Sequence, residues 1–334
     1  MKYFSTWSPG LTTNGEALSM LEKSGIISGI ELWNTDGHVG NIRDAGLDVC
    51  MHVPGRMATI NLADPDYSTK LSHDGYRIKE VVRGSESGVF GLHCGYSVRR
   101  LVNRGDSLRP FSETDYITNR DEVLERISEN IIFMDEWIND HAGDYSKKIA
   151  IENLPRYTEG EATEKNRDVG VTRFVTRPDF FSDIFRKIGC VGYGIGLLYD
   201  ISHAMITVST MKANGNEINN NDYLGAMLEA CNKKVYEVHV SVPERGVYGL
   251  FDAHKPLGFD EEMDNGVIGQ LILLLESSNC IENIVLEMYT GNDPIKHART
   301  IIEQAEGIDK MIGSYVRLSD QVISKPTQRH RSLT

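Results

Sequence analysis

Eight short, β-rich apolar runs punctuate this chain, and a segment of helical length separates most neighbouring pairs. That alternation limits the fold more than any other feature. The runs are KYFSTWS (2–8), GIELW (29–33), LDVCMHV (47–53), GVFGLH (88–93), KIAIEN (148–153), GIGLLYD (194–200), VYEVHV (235–240) and NIVLEM (283–288). They are almost continuously apolar, as strands buried on both faces are. The intervening stretches 121–140, 222–234 and 267–278 carry helical periodicity. Strand–helix alternation predicts a parallel α/β fold. Eight strands in 334 residues favour a closed (β/α)8 barrel over an open sheet, since such barrels need about 250 residues plus insertions. One barrel domain over 1–318 is expected, followed by a polar, aperiodic and flexible tail over 319–334. The polar stretches near 100–119, 155–176 and 207–221 read as loops on the strand C-terminal face.

Where the runs end is where the chemistry concentrates. His52 and His93 close the third and fourth runs, Glu152 and Asp200 the fifth and sixth, and His239 and Glu287 the seventh and eighth. His203 completes Asp200-x-x-His203, and Asp252-x-His254 follows in the next loop. Strand ends of a closed barrel converge on one axis, which is where barrel enzymes place catalytic groups. Nine groups there bring five imidazoles and four carboxylates together. Carboxylates so close raise one another's pKa, and divalent cations remove that penalty while accepting neutral imidazoles as ligands. Nine donors are too many for one ion and suit two or three. Asn153, beside Glu152, is expected to orient a ligand or substrate. The remaining histidines, His38, His73, His141, His297 and His330, fall in helices, loops or the tail and are read as non-ligands, and Cys94 as a packing residue.

Bulk properties remove several function classes. With 48 acidic against 35 basic residues the net charge is −13, which disfavours a broad nucleic-acid-binding surface. Arg56, Arg99, Arg100, Arg156 and Arg245 are the basic groups nearest the expected ligands. Five scattered cysteines without CxxC spacing argue against a disulfide framework, and no run is long enough to span a membrane. A cytoplasmic setting is the expectation.

The nine residues, in this order, resemble the ligand set of xylose-isomerase-like barrels with trinuclear sites, over nearly the whole chain from Lys2 to about Glu287. MHVPGRMATINLADPD and GLHCG are similar to the histidine segments of zinc apurinic/apyrimidinic endonucleases. Further along, YDISHAMITV and HVSVPE depart from that family's pattern. There the chain more closely resembles the multinuclear non-heme iron-dependent oxidative enzymes that modify ribosomally made peptides. The matching segments are IENLPRY (Glu152, Asn153, Tyr157), GIGLLYDISHA (Asp200, His203) and FDAHKPL (Asp252, His254, Pro256). The second resemblance implies two or three iron ions and O2 as co-substrate. It also implies Asn153, Asp252 and His254 in catalytic roles, a peptide substrate with a leader, and in many members a small leader-binding partner protein. The first implies three zinc ions and phosphodiester hydrolysis. A mononuclear sugar isomerase or epimerase would need only Glu152, Asp200, His239 and Glu287.

Overall fold

The aliphatic runs form the strands of a closed parallel barrel. A computed structural model describes residues 1–32, 39–53, 61–99, 101–104, 107–110, 112–143, 147–160, 172, 174–189, 194–258 and 260–323. The barrel strands are β1 (Lys2–Thr6), β2 (Ile27–Leu32), β3 (Asp48–Val53), β4 (Val89–His93), β7 (Lys148–Glu152), β8 (Ile195–Asp200), β9 (Val235–Val240) and β12 (Asn283–Leu286). They pair in chain order, and β12 closes on β1. All eight lie within or against the apolar runs of the sequence, so the (β/α)8 expectation holds. β5 (Leu101–Arg104) with β6 (Ser107–Pro110), and β10 (Val242–Arg245) with β11 (Leu250–Lys255), are antiparallel hairpins outside the barrel.

Local chemistry sets the helix boundaries. Asn14 caps the helix Gly15–Ser24 by accepting from the Ala17 N–H at 2.9 Å, and Gly25 ends it at φ 66°, a left-handed turn that glycine adopts without strain. Pro178 opens the helix Pro178–Ile188, whose Phe180, Phe181, Ile184 and Ile188 are buried, the helix packing against the helices Arg120–Ala142 and Asn220–Ala230. Each such side chain contributes about 1.5–3 kcal/mol, and truncating Phe181 to Ala would cost about 3–5 kcal/mol.

Three expectations change in detail. The stretch 207–221 is not all loop, because the helix Ile201–Ala213 runs through its first half on buried Thr207, Val208 and Thr210. The stretch 100–119 carries the β5–β6 hairpin, which pairs in a register too short to show as alternation. The helix Pro294–Ile323 continues past residue 318, and 324–334 lie outside the described residues, as do 161–171. Among the described residues no helix is long and apolar enough to cross a membrane.

Candidate metal centre

Alternation along each strand decides which side chains enter the barrel. In register, His93 on β4 stands beside Glu152 on β7, and Asp200 on β8 beside His239 on β9. Glu287 extends the ladder past β12, its N–H donating to Val240 O at 3.1 Å. Asp200 ends β8 and caps the following helix: its Oδ1 accepts from the His203 N–H at 2.6 Å. That cap fixes the Asp200-x-x-His203 spacing, because one carboxylate oxygen serves the helix and the other faces the site. Asp252 and His254 lie on β11, in the hairpin beside the helix Ile201–Ala213, and Ser202 Oγ donates to Asp252 Oδ1 at 3.3 Å.

All nine candidates meet in one cluster, in three neighbouring groups. In the first, Glu152 Oε2 lies 3.0 Å from His52 Nε2 and 3.1 Å from His93 Nε2. The second joins Asp200, His239 and Glu287, with His239 Nδ1 2.9 Å from Glu287 Oε2 and 3.8 Å from Asp200 Oδ2. In the third, Asp252 Oδ2 lies 3.1 Å from His203 Nε2 and 3.2 Å from His254 Nε2. Glu152 links the first group to the third, since its Oε1 is 3.0 Å from His203 Nδ1, and the same nitrogen lies 3.8 Å from Asp200 Oδ2 of the second.

The donor set fits divalent cations. Three imidazole nitrogens stand about the fully buried Glu152 carboxylate, yet neither of its oxygens has hydrogen-bond geometry to a partner. Asp200 Oδ2 is buried in the same condition. Buried carboxylate oxygens are normally hydrogen-bonded. Donors aimed at a common point instead of at one another are what a metal ion requires.

Electrostatics agree. Burial pushes the Glu152 carboxyl up, but His52, His93 and His203 outweigh it and pull it well below the usual carboxylate range. Glu287 is likewise held down to about 2 against burial by His254 and His239. Burial drives Asp200 the other way, well up, with Glu287 and Glu152 adding to the rise. His93 is pulled down to about 4 by burial, so it presents a neutral ring. Charge-sharing this strong between neighbours is what bound cations relieve.

Asn153 makes a reciprocal pair with the Asp200 backbone. Its Nδ2 donates to Asp200 O at 2.9 Å, and its Oδ1 accepts from the Asp200 N–H at 2.8 Å. Its own carbonyl lies 3.0 Å from His203 Nδ1. The side chain thus orients a candidate ligand and is fully engaged in doing so. Tyr157 packs with Ile206, Leu250 and Phe251. Cys94 is fully buried, its Sγ–H donating to Val175 O at 3.3 Å, and burial pushes its thiol up. His297 is fully buried between Ser5 Oγ (3.1 Å) and Thr290 Oγ1 (3.0 Å), and His141 donates to Trp137 O. His38, His330, Arg56 and Arg100 lie outside the described residues, and so does the side chain of His73. Arg99 is engaged by Glu122, and Arg245 by Asp260 and Glu262.

A deeper layer escapes a reading of strand ends alone. Glu31 on β2 and Glu237 on β9 are buried beneath the cluster, and with Cys50 they bring three more donors within reach of one another. Glu31 Oε1 lies 3.2 Å from His239 Nε2, and Glu237 Oε2 accepts from Asn283 Nδ2 at 2.8 Å. Strand parity carries the missing signal: Glu237 is two residues before His239 and shares its face. Glu31 is hidden because Leu32 and Trp33 follow it and end the run on apolar residues.

No family model matches the chain. No curated protein matches it in sequence either. Solved structures do match in fold. A D-tagatose 3-epimerase-like protein aligns over 95% of this chain and 100% of its own, with TM-score 0.58 and 16% identity. A xylose isomerase-like TIM barrel protein from Mycobacterium smegmatis, in complex with magnesium, aligns over 93% and 97%, with TM-score 0.52 and 11% identity. Endonuclease IV from Thermus thermophilus aligns over 95% and 99%, with TM-score 0.50 and 13% identity. At these identities the likeness establishes the xylose-isomerase-like (β/α)8 barrel fold.

Proposed function

We propose that this chain is a multinuclear metal-dependent enzyme, and that its reaction is the iron-dependent, O2-using oxidation of a cysteine or neighbouring residue in a ribosomally made peptide. One observation carries the multinuclear part: all nine donors lie in three neighbouring groups, two of them joined through Glu152, where a mononuclear site would leave five of the nine without a task. Two or three ions match that supply. The oxidative part rests on the resemblance of the Glu152–Asn153, Asp200–His203 and Asp252–His254 segments. Charge supports it too. Of the arginines near the site whose side chains are described, Arg99, Arg156 and Arg245, the first and last already serve acidic partners, which reduces the cationic surface left for a DNA backbone.

Bound iron would supply a centre for a soft substrate thiolate and a redox partner for O2. His52, His93, Glu152, Asp200, His203, His239, Asp252, His254 and Glu287 would hold it. The protein's own part is positional. His93 and His254 have side chains 26% and 22% exposed while the other ligand candidates stay at 8% or less, so substrate reaches the cluster on their side. Exposed Val247, Tyr248 and Tyr289 present apolar surface for a peptide, on the β10–β11 turn and just after Glu287. In this proposal the His254–Asp252 pair, 3.2 Å apart at that open edge, would take up a substrate proton on whichever donor the iron leaves free. A leader-binding partner protein belongs to the same proposal.

The fold likeness favours a second reading. Epimerases and endonuclease IV share this barrel, which supports a metal-dependent isomerase or hydrolase using the same ligands. Three assays separate the readings. The oxidative one predicts O2 uptake only with iron and a cognate cysteine peptide, with no cleavage of abasic-site duplex and no epimerisation of ketohexoses. Metal-dependent cleavage or epimerisation at catalytic rates without O2 would replace it.

A further inference from the structure

We propose that Glu31 is a positioning residue that fixes which nitrogen of His239 faces the metal-ligand cluster. The proposal rests on the multinuclear reading for what lies on the Nδ1 side of that ring. The ring stands between two carboxylate layers. Its Nδ1 faces Glu287 Oε2 at 2.9 Å and Asp200 Oδ2 at 3.8 Å, while its Nε2 faces Glu31 Oε1 at 3.2 Å. All four residues are buried, His239, Glu31 and Asp200 completely. A neutral imidazole offers one N–H and one lone pair, and an ionised carboxylate only accepts. With a metal ion bound beside Asp200 and Glu287, Glu31 would hold the proton on Nε2 and leave the Nδ1 lone pair free to ligate that ion.

The layer below keeps that contact in place. Glu237 Oε1 stands 3.7 Å from the same Nε2, and its other oxygen is tied down by Asn283 Nδ2, which also donates to Ser87 Oγ at 3.2 Å. Gly91 leaves the room: a Cβ there would lie 3.1 Å from Glu237 Oε1 and 2.9 Å from the His52 ring. A carboxylate on the distal nitrogen also makes a histidine a stronger ligand, and losing such a partner typically weakens metal binding about 10–100-fold.

The test uses ¹⁵N-histidine-labelled protein with ¹¹³Cd(II) as the probe ion. In the wild type, cadmium coupling is expected on Nδ1 of His239, and Nε2 should carry a slowly exchanging, strongly downfield proton. In Glu31→Gln that proton should move upfield, and chelator competition should show the tightest cadmium weakened about 10–100-fold at unchanged stoichiometry. If Glu31→Gln fails to fold, Glu31→Asp, whose shorter carboxylate draws back from Nε2, should change both readings in the same direction. Cadmium coupling on Nε2, or loss of one whole ion in the variant, would make Glu31 a ligand of a deeper site and overturn the proposal. Unchanged proton shift and affinity would overturn it as well. If no cadmium binds either protein the multinuclear reading fails, and the Nε2 proton of the metal-free protein still decides the role of Glu31: its upfield move in the variant supports the pairing, its constancy refutes it.

Discussion

The Tyr289 backbone N–H donates to the carbonyl oxygen of His254 at 2.7 Å, and His254 stands in the left-handed region at φ 46°. This bond ties the β10–β11 hairpin to the segment after Glu287, and it holds His254 in a conformation that costs a non-glycine residue roughly 1–2 kcal/mol. Strain of this kind persists where surrounding structure enforces it, commonly at ligand sites. His254→Asn, which tolerates the left-handed region, should keep the wild-type thermal midpoint within a few degrees and lose metal from the Asp252 group. His254→Val should lose the same metal and a further 1–2 kcal/mol or so of stability. Thermal denaturation with elemental analysis distinguishes them. Equal midpoints for the two variants would mean that the backbone is not strained there.

Gly91 should tolerate no side chain. An added Cβ would meet His52 Cδ2 and Leu198 Cδ1 at 2.9 Å each, and Leu198 packs into the barrel interior. Gly91→Ala should cost about 1–3 kcal/mol and displace His52, lowering metal content as well as stability. Denaturant titration and metal analysis read the two effects. A fully loaded variant of unchanged stability would show that the interior can yield.

Asn153→Ala removes both hydrogen bonds to the Asp200 backbone and strands a buried N–H and C=O. At about 1–3 kcal/mol for each unsatisfied group, the loss should reach about 2–6 kcal/mol. Asn153→Asp retains the acceptor for the Asp200 N–H and should recover part of it. Chemical denaturation of both variants checks the order. Equal stability of Asn153→Ala and wild type would remove the positioning role.

His297 supplies the pH dependence least entangled with the metal centre. Burial holds its pKa down to about 4, against a carbonyl bond to Thr6. The unfolded chain takes up this proton near 6.5 and the folded one only near 4, so the unfolded state binds more protons between them. Stability is therefore full above about 6.5 and falls with pH through that window, by roughly 3 kcal/mol at most. His297→Gln should flatten that part of the profile and lower stability at pH 7. An unchanged slope in the variant would contradict the assignment.

Much of this is legible in the sequence, for physical reasons. Buried parallel strands must be apolar along their length, so eight runs such as GIGLLYD and VYEVHV give away the barrel. A polar residue is tolerated only where such a strand leaves the packed layers, which marks His52, His93, Glu152, Asp200 and His239. The deeper acids break that rule. Glu31 and Glu237 are embedded within apolar runs, and only pairing across strands shows that His239 and Asn283 satisfy them. The hairpins at 101–110 and 242–255 are hidden for a different reason: their strands are short, and β10–β11 carries a register shift that erases alternation.

Metal stoichiometry tests the central claim most directly. Protein expressed in iron-rich medium and analysed by elemental mass spectrometry should carry at least two metal ions per chain, mostly iron. Asp200→Ala and His239→Ala should each lower that number while the far-ultraviolet circular dichroism of the barrel is retained. One ion per chain, or full loading in both variants, would contradict the account.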